Sequence, residues 1–510
     1  MIKKIVAVSL FLCLTVHLSG NQLLQAQSKA DLLIKNGSVV DGTGEKAYKA
    51  DLIIRGDSIA YIGSVDPDSL KGIRIIDASG KVVAPGFIDM HAHGNPVRTP
   101  EFDNFISMGV TTILLGQDGS SPASESLDDW FEEVKSALPA VNIATLVGHG
   151  SLRRSVGLGE DKEVFDREIQ QMKQKLKDGL EAGAYGMSLG LEYVPGMYAK
   201  PGELSALAEV VGEYDGIIMS HMRSEDDSRI SASLEELAAL GKYARVHASH
   251  FKVVYGKGAD RAKEVLNQID AFNKEGIEFT ADTYPYAASY TGIGIVFPTW
   301  AKTDSEWKAI MNENPALLRE FLVSKLQQRN GPEAILFGSG EYAGKTLAEA
   351  AQSEGMSPVD LLLQMGPNGA SAAHFVMNEE LQDRIAIAEG VMISSDGSPG
   401  MRHPRGYGSF ARVIRKYVVE QQSMSIEQAV YKMSGLSAKT LGITDRGFLR
   451  KGHKADIVIF DPEQVKDNAT FSSPHELATG FEWVIVNGHI AKSGTEFSRE
   501  RAGVVLKNGS

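Results

Sequence analysis

The pattern of hydrophobic and polar residues changes character twice along the chain. Short apolar runs separated by turn signals, typical of β-strands, fill residues 30–84 and recur near the C-terminus. The middle, residues 85–445, alternates strand-like runs with segments whose apolar residues recur every three or four positions, as in amphipathic helices. We therefore predict a small β-sandwich domain built from both termini, residues 27–84 and 446–510, around a larger α/β domain.

Polar residues follow eight strand-like segments of the middle region. In a (β/α)8 barrel the loops after all eight strands meet at one mouth, whereas an open doubly wound sheet gathers function at a single switch point. The pattern favours a TIM-like (β/α)8 barrel over residues 85–445, with an insertion within about residues 291–390 that could lie over the mouth. The eight segments are residues 87–93, 110–115, 141–147, 184–191, 216–220, 245–249, 278–281 and 391–394.

The first 26 residues have the features of a secretory signal peptide. Lys3 and Lys4 precede an apolar stretch, residues 5–18, that is too short to span a bilayer. Cleavage after Ala26 would follow the preference for small residues at such sites. We expect secretion across an inner membrane into the periplasm, with no membrane attachment after cleavage.

Composition narrows the possible partners and chemistry. The formal net charge of -13 would become -15 once the signal peptide, with its two lysines, is removed. An acidic surface argues against nucleic acid and anionic membranes as partners. The only cysteine, Cys13, would leave with the signal peptide, so the mature chain would offer neither a thiolate nucleophile nor a thiolate metal ligand.

Histidines and aspartates at five of the strand ends suggest a metal site. His91 and His93 are two residues apart, so their imidazoles would lie on one side of a strand. A single histidine at a strand end is often only hydrogen-bonded, and an aspartate there is often a helix N-cap. Because strands one, two, five, six and eight all contribute at the same mouth, metal binding is the better interpretation. The candidate ligands are His91, His93, Asp118, His221, His250 and Asp396.

Together these motifs resemble the amidohydrolase superfamily and, within it, the D-aminoacylase (N-acyl-D-amino-acid deacylase) family. The resemblance extends over nearly all of the mature chain. It implies metal-dependent hydrolysis of N-acyl-D-amino acids to a carboxylic acid and a free D-amino acid, with Zn²⁺, as one or two divalent ions, for cofactor. The most specific segments are residues 85–93, 148–153, 249–252, 282–286, 395–397 and 403–405.

The resemblance also implies roles for individual side chains. Asp396 would accept a proton from water and pass it to the leaving amine. The α-carboxylate of the substrate would bind to cationic groups and a phenol, which suit a carboxylate chemically. By resemblance these groups are Lys252, Tyr284 and Arg405, with Arg223 and Tyr193 as weaker candidates.

One position departs from the family pattern. The family has Gly-Asn-Cys-Gly after strand two, and its cysteine holds the metal, whereas this chain has Gly116-Gln117-Asp118-Gly119. A carboxylate is a harder ligand than a thiolate, so we expect Asp118 to ligate and to favour harder cations and a two-metal site. The alternative is that Asp118 binds nothing and the histidines suffice.

Two other functions stay open. Relatives that hydrolyse cyclic amides or isoaspartyl dipeptides generally use a carboxylated lysine on strand four, and residues 184–191 contain no lysine. A non-catalytic binding protein with the same fold is the second alternative, although such proteins tend to lose their ligands. The acyl group, the amino-acid side chain and the oligomeric state are left open.

Overall fold

The computed structural model describes residues 31–66, 72–122 and 126–509. The predicted signal peptide, residues 1–26, lies outside them. Within these three ranges, no helix combines the length and the apolar character needed to cross a bilayer.

Eight parallel strands form a barrel in the middle of the chain, as predicted. Neighbouring strands pair in sequence order, and the third strand is interrupted at Leu146. The eighth strand pairs with the seventh, and the ring closes where Ala92 bridges Gly397 and the backbone N–H of His93 donates to Gly397 O over 2.7 Å. In order, the strands are Phe87–Asp89, Val110–Leu115, Asn142–Thr145 with Val147–Gly148, Gly186–Gly190, Ile217–His221, Arg245–Ala248, Phe279–Thr283 and Val391–Ile393.

Helices cover the outside of the barrel, so most barrel strands are buried along their whole length. The helix Asp166–Ala182 shows the cause: Met172, Leu176 and Leu180 recur every four residues on its buried face, and it ends at Gly183, whose φ is 116°. The covering helices are Asp103–Ser107, Leu127–Ala137, His149–Ser155, Asp166–Ala182, Pro201–Glu213, Ile230–Ala238, Gly258–Lys274, Glu379–Ile387, Arg405–Arg412 continued by the π-helix Val413–Glu420, Ile426–Met433 and Gly435–Leu441.

Strands from both chain ends form one nine-stranded sheet. The two contributions meet where Val82–Pro85 pairs antiparallel with Ile457–Phe460. Residues 503–508 leave this sheet, because Ile143 of the third barrel strand exchanges backbone hydrogen bonds with Val504 and Leu506. The sheet is therefore shorter at its C-terminal end than the predicted range 446–510. Its strands are Leu32–Val39, Tyr48–Arg55, Ser58–Gly63, Arg74–Asp77, Val82–Pro85, Ile457–Phe460, Phe481–Val486, His489–Ser493 and Glu496–Phe497.

An insertion with its own hydrophobic core separates the seventh and eighth barrel strands. It touches the mouth of the barrel: Thr291 Oγ1 donates to Tyr193 Oη over 3.1 Å, and Lys302 Nζ donates to Glu192 O over 3.2 Å. The helix that follows it, Glu379–Ile387, packs on a barrel helix, so the insertion ends before residue 390. It contains the antiparallel strands Ser289–Gly292, Ile335–Phe337 and Ser371–His374 and the helices Asp304–Glu313, Pro315–Gln328, Leu347–Ser353 and Pro358–Met365.

Candidate metal centre and active site

Four of the six predicted ligands converge at the mouth from strands one, two and eight. Their nearest ligand atoms lie within 4.8 Å of one another. His93 Nε2 is 3.2 Å from Asp396 Oδ1 and 3.5 Å from Asp118 Oδ2. This spacing of imidazole nitrogens and carboxylate oxygens suits a divalent cation held between them. The group consists of His91, His93, Asp118 and Asp396.

The other two predicted ligands, His221 and His250, form a second group with Asp118. His250 Nε2 is 3.3 Å from Asp118 Oδ1, and His221 Nδ1 is 3.0 Å from His250 Nε2. Asp118 belongs to both groups, so it would contribute to holding a cation in either of them. The structure thus brings together all six side chains that the sequence singled out.

His91 tests whether these residues fit a metal. Its side chain is fully buried, and neither ring nitrogen has a hydrogen-bond partner among the described residues. Burial lowers the pKa of His91, which favours the neutral imidazole that binds metals. A buried nitrogen left without a partner costs about 1–3 kcal/mol. Since Nε2 faces Asp118 Oδ1 at 3.4 Å, a cation between them would give this nitrogen its missing partner.

Three of the ligands have left-handed backbone conformations. The φ angles are 54° at Asp118, 38° at His250 and 47° at Asp396. Non-glycine residues adopt this region at a cost of about 1–3 kcal/mol each, and they do so mainly where the surroundings hold them. Here the N–H of Asp396 donates to His91 O over 2.8 Å, and the N–H of His250 donates to Asp282 Oδ1 over 2.9 Å. The ligand positions are therefore preorganised by backbone hydrogen bonds.

The turn that carries Asp118 requires its flanking glycines. Gly116 and Gly119 have φ angles of 77° and 74°. A Cβ atom at Gly116 would come within 2.3 Å of Leu146 O, and one at Gly119 within 2.9 Å of Gly190 N. Only glycine permits this close approach, which brings the Asp118 loop against the neighbouring barrel strands.

Two carboxylates that sequence reasoning missed contact the imidazoles. Glu192 Oε2 is 3.1 Å from His221 Nε2, and Glu225 Oε1 is 3.2 Å from His250 Nδ1. Burial would raise the pKa of Glu225, but Lys252 and the neighbouring histidines lower it to about 2, so this carboxylate is ionised. Both glutamates follow barrel strands at the mouth, and this position in the sequence could have identified them as candidate site residues.

A cavity of about 570 Å³ opens beside the ligands, and three of the predicted substrate-binding residues line it. Arg405 Nη1 is 2.8 Å from Asp396 Oδ2, and Lys252 Nζ is 2.6 Å from Glu225 Oε1. Burial would raise the pKa of Asp396, but Arg405 and the imidazoles hold it well below its ordinary value. The ring of Tyr193 lies 4.4 Å from that of His221.

The other two predicted substrate-binding residues do not line the cavity. Tyr284 is fully buried, with the Arg405 guanidinium 4.7 Å and the Lys252 ammonium 5.8 Å from its ring centre. It therefore supports the two cations. Arg223 points away, because its guanidinium is bound by Glu236 and by two backbone carbonyls, and it lines a separate surface cleft. The structure therefore places Arg223 outside the cavity that contains the metal ligands.

Comparisons with known proteins agree with this geometry. The chain is 33% identical to N-acyl-D-glutamate deacylase and 32% identical to D-aminoacylase, both of Alcaligenes xylosoxydans xylosoxydans, with 91% and 93% of this chain and 93% and 97% of those proteins covered. The crystal structure of N-acyl-D-glutamate deacylase from Bordetella bronchiseptica, complexed with zinc and a phosphonate inhibitor, superimposes with a TM-score of 0.82 at 32% identity and covers 94% of this chain and 100% of that one. The family model described as "Amidohydrolase family" matches residues 74–303 and 386–491. The predicted resemblance is confirmed, and this chain belongs to the amidohydrolase family.

Proposed function

We propose that this protein hydrolyses the amide bond of N-acyl-D-amino acids. The observation that carries the proposal is one cavity containing both a set of metal ligands and two cationic side chains, Arg405 and Lys252. A metal ion held by the ligand set would polarise the scissile carbonyl, and the two cationic side chains would bind the adjacent α-carboxylate. The activities named for the 32–33% identical relatives support the same substrate class.

The residues that would hold the metal are the two groups sharing Asp118. Once bound there, Zn²⁺ or another divalent ion would act as a Lewis acid on the amide carbonyl and lower the pKa of water. Every donor in both groups is nitrogen or oxygen, a set that zinc and harder cations both accept.

Asp396 is suited to move the proton. Its Oδ1 faces the histidine ligands and its Oδ2 is held by Arg405, so the carboxylate is ionised and fixed in direction. It would accept a proton from the attacking water and then donate it to the departing amide nitrogen. Arg405 and Lys252 would orient the substrate through its carboxylate, which keeps the amide aligned with the water. The metal site, the cationic side chains and a side-chain pocket would contact the substrate at three points, which is enough to distinguish the D and L configurations of its α-carbon.

The two alternatives make different demands on the site. A carboxylated lysine would have to come from barrel strand four, and Gly186–Gly190 contains none. A non-catalytic binding protein would not need both a preorganised metal-ligand set and an ionised carboxylate in the same cavity. Metal analysis of the purified protein, together with a turnover assay, distinguishes such a binding protein from an enzyme.

A panel of N-acetyl-D- and N-acetyl-L-amino acids, assayed for released amine, tests the proposal. We expect hydrolysis of the D series only, and a large loss of kcat/KM when the α-carboxylate is amidated, because the Arg405 anchor is then lost. Equal cleavage of the L series or of carboxylate-free amides would contradict a deacylase of this type and leave a broader amidohydrolase.

We also propose that the protein is secreted into the periplasm. The support is the sequence of residues 1–26, with two lysines before an apolar stretch and a cleavage site after Ala26. Mass spectrometry of the protein isolated from the periplasmic fraction should give an N-terminus at Gln27. Recovery of the uncleaved chain from the cytoplasm would contradict this.

A further inference from the structure

Arg329 is a buried cation in the wall of the cavity, contributed by the insertion. Its side chain lies at the end of the helix Pro315–Gln328, lines the same cavity as the metal ligands, and is 3% exposed. Its Nη1 donates to Tyr255 Oη over 3.2 Å, whereas its Nε has no hydrogen-bond partner among the described residues. None of the ion pairs formed by the described residues, counted up to a distance of 4.0 Å, includes the Arg329 guanidinium.

Other deeply buried arginines in this protein are neutralised. Arg153 is paired with Glu203, Arg405 with Asp396, and Arg446 with Asp456. Arg154 also lines the cavity but is exposed, so water can satisfy it. Arg329 therefore differs from the buried arginines in its missing carboxylate.

A structural role at the helix end does not account for Arg329. A cation at a helix C-terminus is stabilised only weakly by the helix dipole. Removing a charge from water without pairing it is considerably more unfavourable. The second effect is larger, so the buried guanidinium is destabilising in the free protein unless an anion joins it.

The charges around Arg329 also leave room for an anion. Two further cations of the insertion, Lys302 and Lys325, interact electrostatically with Arg329, and burial lowers the pKa of both. Among the described residues, the acidic side chains that act on Lys302 and Lys325 are Asp226, 3.9 Å from Lys325, and Glu192, which already contacts His221. Three cations therefore face two carboxylates in this part of the cavity wall.

We propose that Arg329 binds a second anionic group of the substrate, a carboxylate on either the amino-acid side chain or the acyl group. The inference rests on the proposed function, and it narrows the substrates to dianionic N-acyl-D-amino acids. Arg405 and Lys252, which are already held beside Asp396 and Glu225, take the α-carboxylate; Arg329, on the insertion, takes the other.

Four compounds in two matched pairs test this. N-acetyl-D-glutamate against N-acetyl-D-glutamine tests the side chain, and N-succinyl-D-methionine against N-butyryl-D-methionine tests the acyl group. We expect kcat/KM for the anionic member of one pair to exceed that of its neutral partner by about tenfold or more, as a buried charge pair requires. The pair that shows the difference identifies where the second carboxylate lies.

The variant Arg329→Gln should reduce that ratio to near one while leaving kcat/KM for the neutral member and the metal content unchanged, and Arg329→Lys should retain part of the ratio. Arg319→Gln, which removes an exposed arginine of the same helix, is the matched control and should behave as the wild type. Ratios near one in both pairs for the wild type, or equal losses for both members in Arg329→Gln, would overturn the proposal.

Failure of the proposed function would look different. If the wild type cleaves N-acetyl-D-methionine but shows no anionic preference, only the role of Arg329 is wrong. If no N-acyl-D-amino acid is cleaved, the deacylase proposal fails, and calorimetric titration with the same four compounds still decides about Arg329. Tighter binding of an anionic member that Arg329→Gln abolishes would support the site, and equal binding of both members would overturn it.

Discussion

Replacing Glu225 should weaken metal binding although Glu225 belongs to neither ligand group around Asp118. Its Oε1 is 2.6 Å from Lys252 Nζ and 3.2 Å from His250 Nδ1, while Lys252 Nζ is itself 2.9 Å from His250 Nδ1. An ammonium group can only donate, so a hydrogen bond from Lys252 to Nδ1 would put the imidazole proton on Nε2, which faces Asp118. Glu225 opposes this by accepting a hydrogen bond from Nδ1–H, which leaves Nε2 free to ligate.

The size of the effect follows from these contacts. Carboxylates that orient a histidine ligand typically contribute 10- to 100-fold to metal affinity, which is about 1.4–2.8 kcal/mol. The amide of Glu225→Gln can still accept one hydrogen bond but carries no charge to hold Lys252, so we expect a loss near the lower limit. Glu225→Ala removes both contacts and should approach the upper limit.

Competition with a chromophoric chelator on the purified protein measures this affinity directly. Glu236→Gln is the matched control, because Glu236 binds Arg223 outside the cavity and should leave the affinity unchanged. Adding Lys252→Met to Glu225→Gln should recover part of the loss, since the competing donor is gone. If Glu225→Gln binds metal within about twofold of the wild type, Glu225 does not set the tautomer of His250.

Three further outcomes are expected. Asp396→Asn should lower kcat by at least about 100-fold, since the amide cannot accept the proton, and turnover near that of the wild type would remove Asp396 from the mechanism. Asp118→Ala should lose metal and activity together because both ligand groups share Asp118, while Asp118→Cys should shift preference toward zinc; unchanged metal content in Asp118→Ala would leave the histidines as the ligands. Burial lowers the pKa of Lys432 from 10.5 to about 7, so the unfolded state binds more protons above pH 7 and the free energy of unfolding should rise with pH, by up to about 1.4 kcal/mol per unit between pH 7 and 10, relative to Lys432→Met. Denaturant unfolding at several pH values measures the difference, and parallel pH profiles would show that Lys432 is charged when folded.

The sequence by itself determined the barrel and the convergence of six candidate metal ligands at its mouth. Each ligand lies at or just after the end of a strand, and in a parallel barrel all such ends meet at the mouth, so position along the chain was enough to predict proximity. Lys252 and Arg405 were predicted as substrate-binding residues by the resemblance to the deacylase family, and both line the cavity. The predicted barrel is confirmed, because the alternation of strand and helix patterns that indicated it is a property of local sequence.

Only the tertiary structure decided where the remaining side chains point. Arg223 follows a barrel strand as His221 does, yet it turns outward because Glu236 and two carbonyls bind it there. Glu225, two residues further on, turns inward toward Lys252. Arg329 reaches the cavity from an insertion whose docking depends on contacts between residues about a hundred positions apart, such as Thr291 with Tyr193. The direction of a side chain in a loop is set by such long-range partners, which cannot be identified from the local sequence.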